Sequence, residues 1–155
     1  MNLNELNILL ADDDTDDCLF FKEAVTVFIP PANFTAVHDG DQLMQLLGSE
    51  TTKMPDMLFL DLNMPRKNGF ECLAEIKQNK KLQKLPVIIF STSFEQEVVN
   101  LLYRNGAQYF IRKPAAFALF QKIILHTLTL IIHTEKIKQP APENFVLNIE
   151  NSFTI

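Results

Sequence analysis

Asn7-Ile8-Leu9-Leu10-Ala11-Asp12-Asp13-Asp14 passes from an apolar run straight into three carboxylates, and that junction decides the fold. The run is apolar at consecutive positions instead of alternating, as expected of a strand covered on both faces by helices in a parallel sheet. Four more runs of this kind follow: Phe34-Thr35-Ala36-Val37, Met57-Leu58-Phe59-Leu60, Val87-Ile88-Ile89-Phe90 and Tyr109-Phe110-Ile111. Each is bounded by Pro, Gly, Asp or Ser, so five strands are expected.

Helical patterns lie between the strands. The first is expected from Asp14 to Phe28, beginning in an acidic turn and stopping at Pro30-Pro31. The second covers Asp41 to Leu47. The third follows Gly69 and carries Phe70, Leu73, Ala74 and Ile76 as its apolar stripe, and the fourth spans Glu95 to Arg104 before Asn105-Gly106. In the fifth, Phe117 to Ile132, 11 residues are apolar, including Phe120, Ile123, Ile124, Leu128, Ile131 and Ile132, so apolar side chains surround the helix. Lys122 and His126 interrupt it, and it falls short of the roughly 20 apolar positions that a membrane span needs. The expectation is therefore a homodimer interface on the face of helix 117–132. Gln139-Pro140-Ala141-Pro142 reads as a rigid linker, and the remainder to Ile155 as a tail without helical period.

The chain has 155 residues, 47% hydrophobic and 21% charged, which suits one globular domain. Its net charge of −5 gives no field to attract nucleic acid or an anionic membrane. Cys18 and Cys72 form no CxxC or disulfide pattern, and the N-terminus lacks the basic and apolar regions of a signal peptide, so a cytoplasmic protein is expected. Both thiols are read as packing groups without a histidine partner. His38, His126 and His133 lie apart in sequence and suggest no metal cluster.

Alternating strands and helices with right-handed crossovers make a doubly wound α/β sheet, whose ligands bind beyond the carboxyl ends of the strands. Asp12-Asp13-Asp14, Asp61, Ser91-Thr92-Ser93 and Lys113-Pro114 all follow strands and fall on that edge. Converging carboxylates repel one another unless a cation sits among them, and their hard oxygens suit Mg2+. A lysine and a hydroxyl beside that cation suit a phosphoryl group, with an aspartate as its acceptor.

These pieces resemble the receiver domain of two-component response regulators: Ile8 to Asp13, Leu60-Asp61-Leu62-Asn63-Met64-Pro65 with Gly69, Val87 to Ser91, and Gly106-Ala107 through Phe110-Ile111-Arg112-Lys113-Pro114. The resemblance covers residues 6 to 134. It implies a flavodoxin-like, CheY-like five-stranded parallel sheet of order 2-1-3-4-5 flanked by five helices, with the receiver at 6–138 and a tail at 139–155. It further implies that Asp61 takes a phosphoryl group from a sensor histidine kinase and that Asp12, Asp13, Asp61 and the backbone carbonyl of Asn63 hold Mg2+. Lys113 is then expected to pair with Asp61, Ser91 to turn toward the phosphoryl group, and Phe110 to serve as the switch aromatic. Asn63 and Ser93 fall where the family tunes acyl phosphate hydrolysis, and Lys113–Pro114 where it has a cis peptide. Asp14, Asp16 and Asp17 read as a helix cap and a solvated acidic turn.

The implied role is a single-domain regulator that signals through protein contacts, catalysing only its own phosphotransfer and dephosphorylation. The implied partner is a histidine kinase, phytochrome-like or hybrid, or a phosphotransfer protein. The alternatives are a relay intermediate, a phosphate sink or an unphosphorylated interaction module. A haloacid-dehalogenase-type phosphatase requires Asp-x-Asp-x-Thr or Val after strand one, and here Thr15 comes one position early. A flavin-binding carrier is disfavoured because three carboxylates would repel its phosphate.

Overall fold

The computed structural model describes residues 3–133 and 138–148. The strands are β1 (Ile8–Ala11), β2 (Phe34–Val37), β3 (Met57–Leu60), β4 (Val87–Ser91), β5 (Tyr109–Arg112) and β6 (Val146–Leu147), all parallel in the order 2-1-3-4-5-6. The helices are α1 (Thr15–Val25), α2 (Gly40–Gly48), α3 (Gly69–Gln78), α4 (Gln96–Arg104) and α5 (Phe117–Ile132). The sheet therefore has six strands among the described residues, not five.

The extra strand comes from the expected tail. Phe145-Val146-Leu147 is a short apolar run between Asn144 and Asn148, and β5 would otherwise leave a row of backbone groups unpaired at the sheet edge. β6 fills that edge with Phe110 opposite Val146 and Ile111 opposite Leu147, while Phe145 is buried among Val99, Leu102 and Phe110. Tyr103 Oη donates to the Pro140 carbonyl at 2.7 Å, and the Gln139 side-chain amide donates to the carbonyls of Tyr103 and Ala107 at 2.6 Å. Of that tail, residues 149–155 lie outside the described residues.

Alternate strand residues face opposite layers, because successive side chains on a strand point to opposite sides. Ile8 and Leu10 of β1 pack with α1 and α5, whereas Leu9 and Ala11 pack with α2, α3 and α4. Phe21 of α1 is the hub of the first layer, with ring centroids 4.8 Å from Phe59, 5.6 Å from Phe90 and 6.1 Å from Phe120. This cluster fixes α1 and α5 against the sheet and so fixes the loops at their N-termini.

α1 starts where expected, capped by Asp14, but ends at Val25, three residues before Phe28. The amides of Phe28 and Ile29 both return to the Val25 carbonyl, closing a tight turn instead of another helical turn. α5 keeps the expected bounds. Its covering, however, comes in part from the chain itself: Phe120, Ile123, Ile124 and Leu128 are buried against β-strand residues and α1, and Leu130, Ile131 and Ile132 pack on the same cluster. No described helix is long and apolar enough to cross a membrane.

Candidate phosphoryl-transfer site

The three carboxylates meet where β1 and β3 end side by side. Asp61 N–H donates to the Ala11 carbonyl at 2.9 Å, and Asp12 N–H donates to Val37 at 3.0 Å, so the strand ladder itself sets both side chains on one edge. Carboxylate oxygens of Asp12, Asp13 and Asp61 all lie within 4.8 Å of one another. Asp12 and Asp61 are buried, and Asp13 is exposed at the rim.

Burial pushes the Asp61 carboxyl up to about 6, and the negative charge of Asp12 adds to the rise; the positive charge of Lys113 and the Asn63 N–H oppose it. Asp12 is also raised by burial, although Lys113 and the Asp14 N–H, donating at 3.0 Å, pull the other way. Two acids that burial biases toward the protonated form gain most from a divalent cation. A set of hard oxygens with an open side at Asp13 fits Mg2+.

Ser91 ends β4 fully buried, its Oγ 3.2 Å from Ser93 Oγ, and it accepts from the Ser93 N–H at 3.3 Å. Its carbonyl accepts from Lys113 N–H at 2.8 Å, which ties the β4 and β5 ends together. Lys113 then reaches across the edge, its Nζ 5.4 Å from the centre of the Phe90 ring. The ammonium donates to Asp12 Oδ2 at 2.6 Å and to Asp17 Oδ2 at 2.8 Å. Burial would lower the lysine's pKa, but these two bonds more than compensate and hold it above its ordinary value.

Three expectations are corrected here. Lys113 is hydrogen-bonded to Asp12 and Asp17, not to Asp61, because Asp17 on the first turn of α1 offers a second carboxylate on the near side. Asp17 is accordingly an ion-pair partner and not a solvated turn acid. Nor is Lys113–Pro114 a cis peptide: no peptide bond is cis among the described residues, and the trans form is the lower-energy one for an X–Pro bond unless its surroundings select otherwise. The N-cap reading of Asp14 is met, since its Oδ1 accepts from the Asp17 N–H at 3.1 Å.

Phe110 is 1% exposed, with its ring centre 5.9 Å from Phe94. It is thus already inward, and Phe94, 39% exposed, is the accessible member of the pair. Cys18 does have a histidine neighbour, His38 Nδ1 at 3.8 Å, which sequence distance concealed. Burial pushes its thiol up to about 12 and that of Cys72 to about 11, so both are packing groups.

Residues 8–125 match the model of the response regulator receiver domain. The chain belongs to that family. The receiver is 32% identical over 110 residues to Response regulator Rcp1 of Synechocystis, covering 68% of this chain and 75% of that one. Among solved structures it is similar to the phosphorylated cyanobacterial phytochrome response regulator RcpA, with a TM-score of 0.77 and 28% identity over 88% of this chain and 99% of the other. The Mn2+-bound form of Rcp1 superposes with a TM-score of 0.72 at 28% identity, covering 86% and 98%.

Proposed function

We propose that the receiver accepts a phosphoryl group on Asp61 from a phosphohistidine, with Asp12, Asp13, Asp61 and the Asn63 carbonyl holding Mg2+. An Asp61 oxygen attacks phosphorus while the P–N bond breaks and its electron pair returns to the imidazole, leaving an acyl phosphate. The observation that carries this reading is the convergence of three carboxylates within 4.8 Å on the edge where Lys113 and Ser91 also emerge. Lys113 and the Ser91 hydroxyl bind phosphoryl oxygens. Mg2+, when bound, supplies the charge neutralisation that lets an anionic donor approach an anionic acceptor.

Beside Lys113, a cavity of about 300 Å³ is lined by Asp17, Phe20, Thr92 and Phe117, of which Phe20 and Phe117 are large exposed apolar side chains. This apolar rim suits a helix that carries the donor histidine. The similarity to phytochrome response regulators supports a phytochrome-like or hybrid histidine kinase, or a phosphotransfer protein, as the donor. Such donors work in the cytoplasm, where the two free cysteines stay reduced.

Output is read as altered protein contact: Ser91 turns toward the phosphoryl group, and Phe94 and Phe110 repack at the face of α4, β5 and α5. A homodimer across α5 remains part of this reading, with β6 already occupying the β5 edge.

Intact mass after incubation with acetyl phosphate and Mg2+ tests the chemistry. One added phosphoryl group is expected, lost in Asp61→Asn and without metal. No addition, with a kinase-driven reaction also failing, would leave an interaction module.

A further inference from the structure

Lys113 bonds two carboxylates, and they differ in kind. Asp12 belongs to the cluster that fits a cation, whereas Asp17 is not among the carboxylates whose oxygens converge there. Asp17 is also held in place: it lies in the first turn of α1, its N–H bonded to the Asp14 cap, and the same helix is pinned one turn later by Phe21 in the aromatic cluster. Its side chain is 27% exposed and that of Lys113 only 7%, so the pair at 2.8 Å is partly shielded from water.

We infer that Asp17 is a positioning residue that competes with the phosphoryl group on Asp61 for Lys113. The inference rests on the phosphoacceptor reading above. When a cation takes Asp12, Asp17 is the carboxylate that still holds the ammonium on the α1 side of the crevice. A phosphoryl group on Asp61 must then draw Lys113 away from a fixed, charge-assisted bond. Asp17 therefore weakens the hold of the site on the phosphoryl group and shortens its lifetime. Its neighbour Asp16 carries the same charge in the same turn but is exposed to solvent, the carboxylate bonds of Lys113 going to Asp12 and Asp17.

The test is the affinity for beryllofluoride, a phosphoryl mimic, at saturating Mg2+ by calorimetry, with acyl phosphate half-life measured alongside. Asp17→Asn is expected to bind beryllofluoride roughly three- to tenfold more tightly and to keep its phosphoryl group longer by a similar factor. Asp16→Asn, which changes net charge equally, is expected to shift either quantity by less than about twofold. Asp17→Glu, which restores the carboxylate, should return both values toward the unsubstituted protein. Equal effects of Asp17→Asn and Asp16→Asn, or weaker binding in Asp17→Asn, would overturn the inference while leaving the phosphoacceptor reading intact. Failure of the unsubstituted protein to bind beryllofluoride would instead overturn that reading, and the inference with it.

Discussion

The Phe110 N–H donates to the Phe145 carbonyl at 3.0 Å, so Phe110, the aromatic proposed to repack at the output face, is tied through its backbone to the C-terminal segment. Phe145 is 1% exposed, and its ring centre lies 5.1 Å from that of Tyr103 on α4. Strand, helix and segment are thus joined around one buried aromatic. Phe145→Ala should lower stability by about 3–5 kcal/mol. Urea denaturation of this variant beside a chain ending at residue 138 checks it: both are expected to unfold at lower urea, and a shift under 1 kcal/mol in Phe145→Ala would show that β6 contributes little.

Gly69 begins α3 directly beneath Asp61. A Cβ there would sit 2.4 Å from the Asp61 carbonyl oxygen and 2.8 Å from the Leu62 Cα, both backbone atoms that cannot rotate aside. Gly69→Ala is expected to cost about 2 kcal/mol or more and to weaken Mg2+ binding by displacing the Asp61 backbone. Gly48, at the end of α2, has nothing within 4 Å of the same atom. Gly48→Ala should stabilise by about 0.5–1 kcal/mol. Thermal melts of the two variants, with Mg2+ titrations, separate crowding from helix propensity.

The Asp61 carboxyl makes stability depend on pH in an unusual direction for an acid. Folding raises it from 3.8 to about 6, chiefly by burial, so its contribution is fully present below the unfolded value and is lost as pH rises through about 6. Asp61→Asn removes the cost of the buried charge. In metal-free buffer the variant should be more stable than the unsubstituted protein by about 1–2 kcal/mol at pH 8, with the difference vanishing near pH 4. Denaturation midpoints at the two pH values provide the check, and a difference that grows toward low pH would contradict the assignment.

Phe20 and Phe117 face each other at the rim with ring centres 6.3 Å apart, 49% and 41% exposed. Both line the cavity beside Lys113. Phe20→Ala should leave phosphorylation by acetyl phosphate within about twofold and slow transfer from a cognate histidine donor by about fivefold or more, the cost of losing an aromatic anchor. Equal slowing with both donors would place Phe20 in the chemistry and not in docking.

Much of this was legible in the chain because strand ends are marked twice, by apolar runs and by the polar residues that stop them. Asp12, Asp13, Asp61, Ser91 and Lys113 each follow such a run, so sharing one sheet edge places them together. What escaped was set by distances across the fold. Asp17 lies 96 residues from Lys113, and nothing in its own turn announces a partner. Likewise His38 reaches Cys18 only because β2 lies beside β1. β6 was a different case: Phe145-Val146-Leu147 carries an apolar signal, but two paired residues are too few for periodicity, and the vacant edge of β5 that recruits them is a property of the assembled sheet.

The order of the sheet also has a bearing on how the molecule is made. After β3, each strand is laid against the one synthesised immediately before it, β4 on β3, β5 on β4 and β6 on β5. A nascent chain can therefore extend its sheet outward from one growing edge, each addition closing only the loop that has just been translated, and among the described strands β6 is the last to be laid down.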